Sequence, residues 1–144
     1  MTGVQTCALP ILLAAVRACR LIDDAGLEEI DDAIEHQEFY AVRKDIEKIR
    51  DYDTKFHDLL YTHCRSRVLK KVLSPLHRKI IKYRSASLEN NEKRQLESIR
   101  EHRDIYEALK ARNADEVKRL MKVHIENAYK SICVNRGGKQ KTDK

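Results

Sequence analysis

The sequence predicts an all-α protein of about six helices. Two observations lead there. Only four glycines and two prolines occur in 144 residues, so few positions force a helix to stop, and 36% of the residues are charged. Through most of the chain, apolar residues recur three and four positions apart, the spacing of one helix face.

The length suits one domain with a core of its own. The longest apolar run, Ala8 to Val16, is too short to span a bilayer, and Arg17 and Arg20 follow it. Cys7, Cys19, Cys64 and Cys133 are scattered with no CxxC pair, which reads as free thiols in a reducing cytoplasm. The net charge is +6, and the segment from Arg136 onward supplies +3 of it. The body is then only mildly basic, a weak signal for nucleic acid.

Residues 1–11 read as foreign to the rest. Codons for Gly3 to Ile11 can be chosen to spell a short-read sequencing adapter, and no positive segment precedes Cys7 as a signal peptide requires. The expected division is therefore 1–11 as an added segment, 12–132 as a helical domain and 133–144 as a basic, disordered tail.

The first expected helix covers Leu12 to Ile22, and Asp23-Asp24-Ala25-Gly26 punctuates it. The second covers Leu27 to Glu38, with Leu27, Ile30 and Ile34 on one side, and Phe39 and Tyr40 near a short connection. The third runs from Val42 to His63 on a stripe of Ile46, Ile49, Phe56 and Leu60. The fourth spans Arg67 to Ser85, with Leu69, Val72, Leu73, Leu76, Ile80 and Tyr83 apolar and Pro75 as a kink or a new start. Ser85 to Asn91 is the expected long loop. The fifth helix covers Glu92 to Arg112 on Ile99, Ile105, Tyr106 and Leu109. The sixth, capped by Asp115, reaches Ile132 on Val117, Leu120, Met121, Ile125 and Ala128.

Four polar residues fall on these inward faces. Asp53 lies four after Ile49 and three before Phe56, inside the stripe, and His57, one turn on, borders it. A carboxylate there is costly unless it is paired or metal-bound. His102 lies three after Ile99 and four before Tyr106, and His124 four after Leu120 and four before Ala128. One carboxylate and three imidazoles converging from three helices suit a divalent transition metal. A hydrogen-bonded core is the other reading. His36, His63 and His77 lack this support and read as surface or satisfied residues.

The segment Asp53–Leu60 (DxxFHxxL), the pair Glu101-His102, and Met121 with His124-Ile125 resemble the FCD-type C-terminal effector-binding domain of FadR-branch GntR transcriptional regulators. Ala108 and Asp115 keep that family's spacing between the last two helices. The resemblance covers Leu12 to Ile132. It implies an antiparallel helical bundle with a metal at its middle, held by Asp53, His57, His102 and His124. It also implies a small organic acid as effector, a homodimer, and operator DNA contacted only through an N-terminal winged helix-turn-helix, which does not precede Leu12 here. Ala14 stands where the family often has Glu, and Ser66 where it usually has Asn.

Four protein ligands would leave two open positions on an octahedral metal, for water or an effector carboxylate. Zn, Ni and Mn all suit the ligand set. Arg84, four after Ile80, is the expected bidentate grip on the effector. Two other functions compete. A metal-dependent hydrolase would need a general base, and Glu101, next to His102, points about 100° away on a helix. A metal-free structural bundle would bind no stoichiometric metal. The expected function is metal-dependent sensing of an organic acid, without catalysis, in the cytoplasm.

Overall fold

In the computed structural model, the described residues are 3–88 and 91–139, with side chains described over 8–82 and 91–131. They form six helices: α1 (Gly3–Leu21), α2 (Asp24–Val42), α3 (Ile46–His63), α4 (Arg67–Leu88), α5 (Glu92–Lys110) and α6 (Ala114–Lys139). No strand occurs among the described residues, and no helix is long and apolar enough to cross a membrane.

Packing closes five helices into a ring. α2 packs on α3, α3 on α1, α1 on α6, α6 on α5, and α5 back on α2. α4 lies against α3 and more lightly against α6 and α1. The centre is filled by Phe56, Leu60 and Tyr61 of α3, Ile105 and Leu109 of α5, and Val117 and Met121 of α6, with Ile30 and Ile34 of α2. Full burial of one such side chain contributes about 1.5–3 kcal/mol.

The turns are tight and lack glycine. Lys44, Arg65 and Arg112 take positive φ values of 56°, 52° and 58° just after α2, α3 and α5. That conformation lets Asp45 N reach Tyr40 O at 3.1 Å and Asn113 N reach Ala108 O at 3.0 Å, closing the exposed carbonyl ends. Arginines from neighbouring elements finish other ends. Arg17 Nε donates to Cys64 O at 3.1 Å, and Arg112 Nη1 donates to Cys19 O at 3.2 Å and to Ile22 O. Arg103 ties α5 to α2 through both Glu38 oxygens, at 3.1 and 3.0 Å, and through Asp31.

Several element ends differ from expectation. α1 continues upstream of Leu12 to Gly3, and Ala8 and Ile11 are buried, because Ile11, Ala14, Ala15, Ala18 and Ile22 form one continuous stripe. Phe39 and Tyr40 lie inside α2, where nothing breaks the helix before Arg43. Asp45 caps α3 by accepting from Lys48 N at 3.2 Å, so that helix starts at Ile46 rather than Val42. α4 runs through Pro75 to Leu88, shortening the expected loop. Val72 is 57% exposed, outside the buried face of α4. Asn113, not Asp115, starts α6, accepting from Glu116 N at 3.2 Å. α6 extends past Ile132 to Lys139, and residues 140–144 lie outside the described residues. Cys19 and Cys64 are buried free thiols. The side chains of Cys7 and Cys133 lie outside the described residues.

At Gly26, α2 lies directly against the His63 ring at the end of α3. A Cβ there would stand 2.6 Å from His63 Cε1 and 2.7 Å from Ile22 Cγ1. The helix-propensity gain of alanine, about 1 kcal/mol, is set against overpacking of about 1–3 kcal/mol. Gly26→Ala is expected to lower stability by about 1 kcal/mol in urea unfolding, and His63→Ala beside it to recover part of that loss.

Candidate metal centre

Asp53 and His57 come from α3, one turn apart, while His102 comes from α5 and His124 from α6. The helix ring brings all four together. Asp53 Oδ1 lies 3.4 Å from His57 Nε2 and 3.3 Å from His102 Nε2. His102 Nε2 lies 3.3 Å from His124 Nε2. The three imidazoles are 4%, 1% and 3% exposed, so water cannot solvate their nitrogens freely. Each of His57, His102 and His124 offers a nitrogen within 4.8 Å of the others.

The second ring nitrogens decide which atoms face inward. His124 Nδ1 lies 2.9 Å from Glu101 Oε1, and a carboxylate only accepts, so Nδ1 carries the proton. His102 Nδ1 lies 2.8 Å from Gln37 Oε1 and donates in the same way. In the neutral rings, both Nε2 atoms then present lone pairs toward each other. A cation between them removes that repulsion. His57 adds to the case: its Nδ1 has no hydrogen-bond partner among the described residues, and its Nε2 has only the long 3.4 Å contact with Asp53. A buried ring nitrogen left without a partner is costly unless something else coordinates it.

Charge points the same way. Burial alone would raise the Asp53 carboxyl. With positive charge in the nest, from protonated imidazoles or a bound cation, the His57 contact and the charges at His102, His57 and His77 outweigh it and hold Asp53 well below the usual carboxylate range. Asp53 therefore brings a full negative charge to a nest of imidazoles. Phe56 stacks on His102 with centroids 4.2 Å apart and fixes that ring from the side.

A supporting shell stands behind the nest. Glu101 accepts from Arg94 at 2.7 and 3.1 Å and from Asn127 at 2.9 Å, as well as facing His124. Burial would raise the Glu101 carboxyl, but the His124, Arg94 and Asn127 contacts bring it down to about 2. The reading of Glu101 as pointing away from His102 stands. Its role is on His124, a residue of the next helix.

His77 departs from expectation. It is 8% exposed, its ring centroid lies 3.9 Å from that of His57, and it groups with Asp53 and His57 within 4.8 Å. His77 falls four after Leu73 and four before Ile81, both buried, so the helical spacing that marked His102 and His124 also marked it. His36 stacks on Tyr52 at 4.5 Å and is part-exposed, and His63 lies 3.6 Å from Glu29. Both stay away from the nest. The side chain of Arg84 lies outside the described residues.

A small, half-open cleft, with a cavity volume of about 60 Å³, lies beside Asp53 and His102. Ile46, Ile49, Ile81 and Ile99 make its apolar wall. Gln37, Arg50, Gln95 and Ser98 supply polar groups. Arg50 makes no ion pair among the described residues, so a guanidinium borders a cleft whose far end is the nest.

The FCD domain pattern matches residues 12–127. Among curated proteins, the HTH-type transcriptional repressor RspR of Escherichia coli K12 is 24% identical over 118 residues, 82% of this chain and 51% of that protein. The HTH-type transcriptional regulator YdfH of Shigella flexneri matches with the same identity and coverage. This chain spans about half the length of these relatives. Among solved structures, Escherichia coli McbR/YncC superposes with a TM-score of 0.78 at 17% identity, covering 93% of this chain and 62% of that one. Streptococcus agalactiae GntR superposes with a TM-score of 0.66 at 20% identity, covering 95% and 62%. At such identities the likeness establishes the fold.

Glu101 is the joint between the nest and its support. Glu101→Gln keeps the shape but leaves the buried Arg94 with only the more exposed Glu97, at 3.5 Å, as a charge partner. A loss of about 2 kcal/mol is expected in urea unfolding with an unchanged slope, together with a weakened hold on the His124 ring.

Proposed function

This chain belongs to the FCD domain family, and we propose that it is the metal-dependent, organic-acid-sensing domain of a GntR-type transcriptional regulator. Residues 12–132 form the proposed sensing domain, with Asp53, His57, His102 and His124 as metal ligands. When bound, the metal supplies a Lewis-acidic position at the inner end of the cleft. The observation that carries the reading is the facing pair of Nε2 atoms of His102 and His124. Their Nδ1 protons are committed to Gln37 and Glu101.

The donor set of one carboxylate and imidazoles suits Zn, Ni or Mn. Bonds of ~2.1 Å put neighbouring octahedral ligands ~3.0 Å apart. The separations of 3.3 and 3.4 Å around Asp53 and His102 are close to that edge. The cleft favours a small acid with an apolar body, its wall being isoleucine. Arg50 is positioned to pair with a carboxylate. Arg84 remains a second candidate for that role. In the intact regulator, effector binding would shift a two-state helix arrangement and so change how a homodimer engages operator DNA in the cytoplasm. The curated relatives are HTH-type regulators, which supports a sensor over a catalyst.

Elemental analysis of untagged protein is the test. About one metal per chain is expected for the wild type and almost none for His102→Ala. With metal present, small carboxylic acids should raise the melting temperature, and Arg50→Ala should abolish that rise without loss of metal. A wild type with no metal, and a melting temperature indifferent to chelator and added metal, would leave only a hydrogen-bonded helical core.

A further inference from the structure

We propose that Gln37 belongs to the effector site itself: its side-chain amide donates from Nε2 to an oxygen of the bound acid, and so selects acids that carry an oxo or hydroxyl oxygen beside the carboxylate. This rests on the sensing function proposed above and names the class of acid it takes.

An unmet donor carries it. Gln37 lies four after Ala33 and three after Ile34, both wholly buried, so α2 turns it into the core with them. It is itself 0% exposed. Its Oε1 lies 2.8 Å from His102 Nδ1. With His102 Nε2 turned to the nest, Nδ1 carries the proton and Oε1 accepts it. That leaves Nε2 of the same amide, which has no hydrogen-bond partner among the described residues. Two N–H groups shut from water with nothing to accept them are costly.

Glu101 makes clear that orienting the ring does not require an amide. It does for His124 what Gln37 does for His102, accepting from Nδ1 at 2.9 Å. As a carboxylate it has no donor, and its oxygens also accept from Arg94 and Asn127. Gln37 differs in two ways. It keeps an unused donor, and it lines the cleft, which Glu101 does not.

The cleft can bring an acceptor to that donor. Gln37 lines it together with Asp53 and His102, at the end where the nest lies. A cavity volume of about 60 Å³ holds a few water-sized groups, so the head of an acid fits there and a long body does not. In an acid whose carboxylate reaches the nest, the next carbon comes beside Gln37. An oxo or hydroxyl oxygen on that carbon accepts the N–H. A methylene leaves the donor unmet, and an ammonium sets donor against donor. The same amide fixes the His102 tautomer, so binding is felt directly at that ring.

The test uses the full chain loaded with Zn²⁺, titrated by calorimetry with pyruvate, propionate and alanine and followed by ¹H–¹⁵N spectra of the side-chain amides. Pyruvate is expected to bind at least ~10-fold more tightly than propionate, and alanine not to bind. Pyruvate should shift the Gln37 side-chain amide signals and leave those of the distant Asn113 in place. Gln37→Glu keeps an acceptor for His102 and loses the donor. It should retain Zn²⁺ and bind pyruvate no better than propionate; the two acids carry the same charge, so their ratio isolates the donor. Equal affinities in the wild type, or an unmoved Gln37 amide, would overturn this role and leave the sensor reading intact. No binding of any of these acids would overturn both. Should Gln37→Glu not fold, the wild-type affinities and amide shift decide alone.

Discussion

A buried carboxylate governs the middle of this bundle. Asp53 sits on the stripe that α3 turns toward the core, 14% exposed at its side chain, between Ile49 and the fully buried Phe56. Moving an ionised carboxylate out of water costs several kcal/mol unless nearby groups replace the lost solvation. The imidazoles of His57, His102 and His77 do so, and they hold Asp53 ionised. Each of those imidazoles in turn needs its outer nitrogen or its ring face fixed. Gln37 and Phe56 do this for His102, and Glu101 does it for His124. Glu101 then draws in Arg94 and Asn127. Much of the polar interior follows from placing one negative charge on an apolar stripe.

The helices and the nest differ in how far a single sequence discloses them. Helix existence was legible because it depends on local spacing, and all six expected helices occur. Their ends were less legible, since a cap depends on one side-chain contact. Asn113 and Asp115 are both good capping residues, and only the backbone path selects Asn113. The inward placement of Asp53, His57, His102 and His124 was legible for the same reason as the helices, because each lies at helical spacing from apolar neighbours.

His77, Glu101 and Gln37 were harder for different reasons. His77 carried the right spacing, between Leu73 and Ile81, but on a helix whose wider apolar face included Val72, which turned out to face solvent. Glu101 borders its own helix's inward face and acts on a residue 23 positions later. Gln37 meets His102 across 65 positions. Such pairings come from the way α2, α5 and α6 close the ring, and no local pattern encodes that closure. Supporting polar residues are chosen by tertiary neighbours, whereas inward-facing ligands are chosen by their own helix.

The nest and the cleft are not separable parts. Asp53, His102 and Gln37 line the cleft and also belong to the nest or its support. A molecule entering between Ile46, Ile49, Ile81 and Ile99 meets residues whose orientation the nest has already set. Conversely, any displacement of α4 moves Ile81 and His77 together, because they lie one turn apart on the same face. A core packed at this density does not deform continuously; it changes by steps of whole side chains and helices. That makes α4 the natural moving element. It has the least packing to lose, and it carries both Ile81 of the cleft wall and His77, whose ring lies against His57 of the nest.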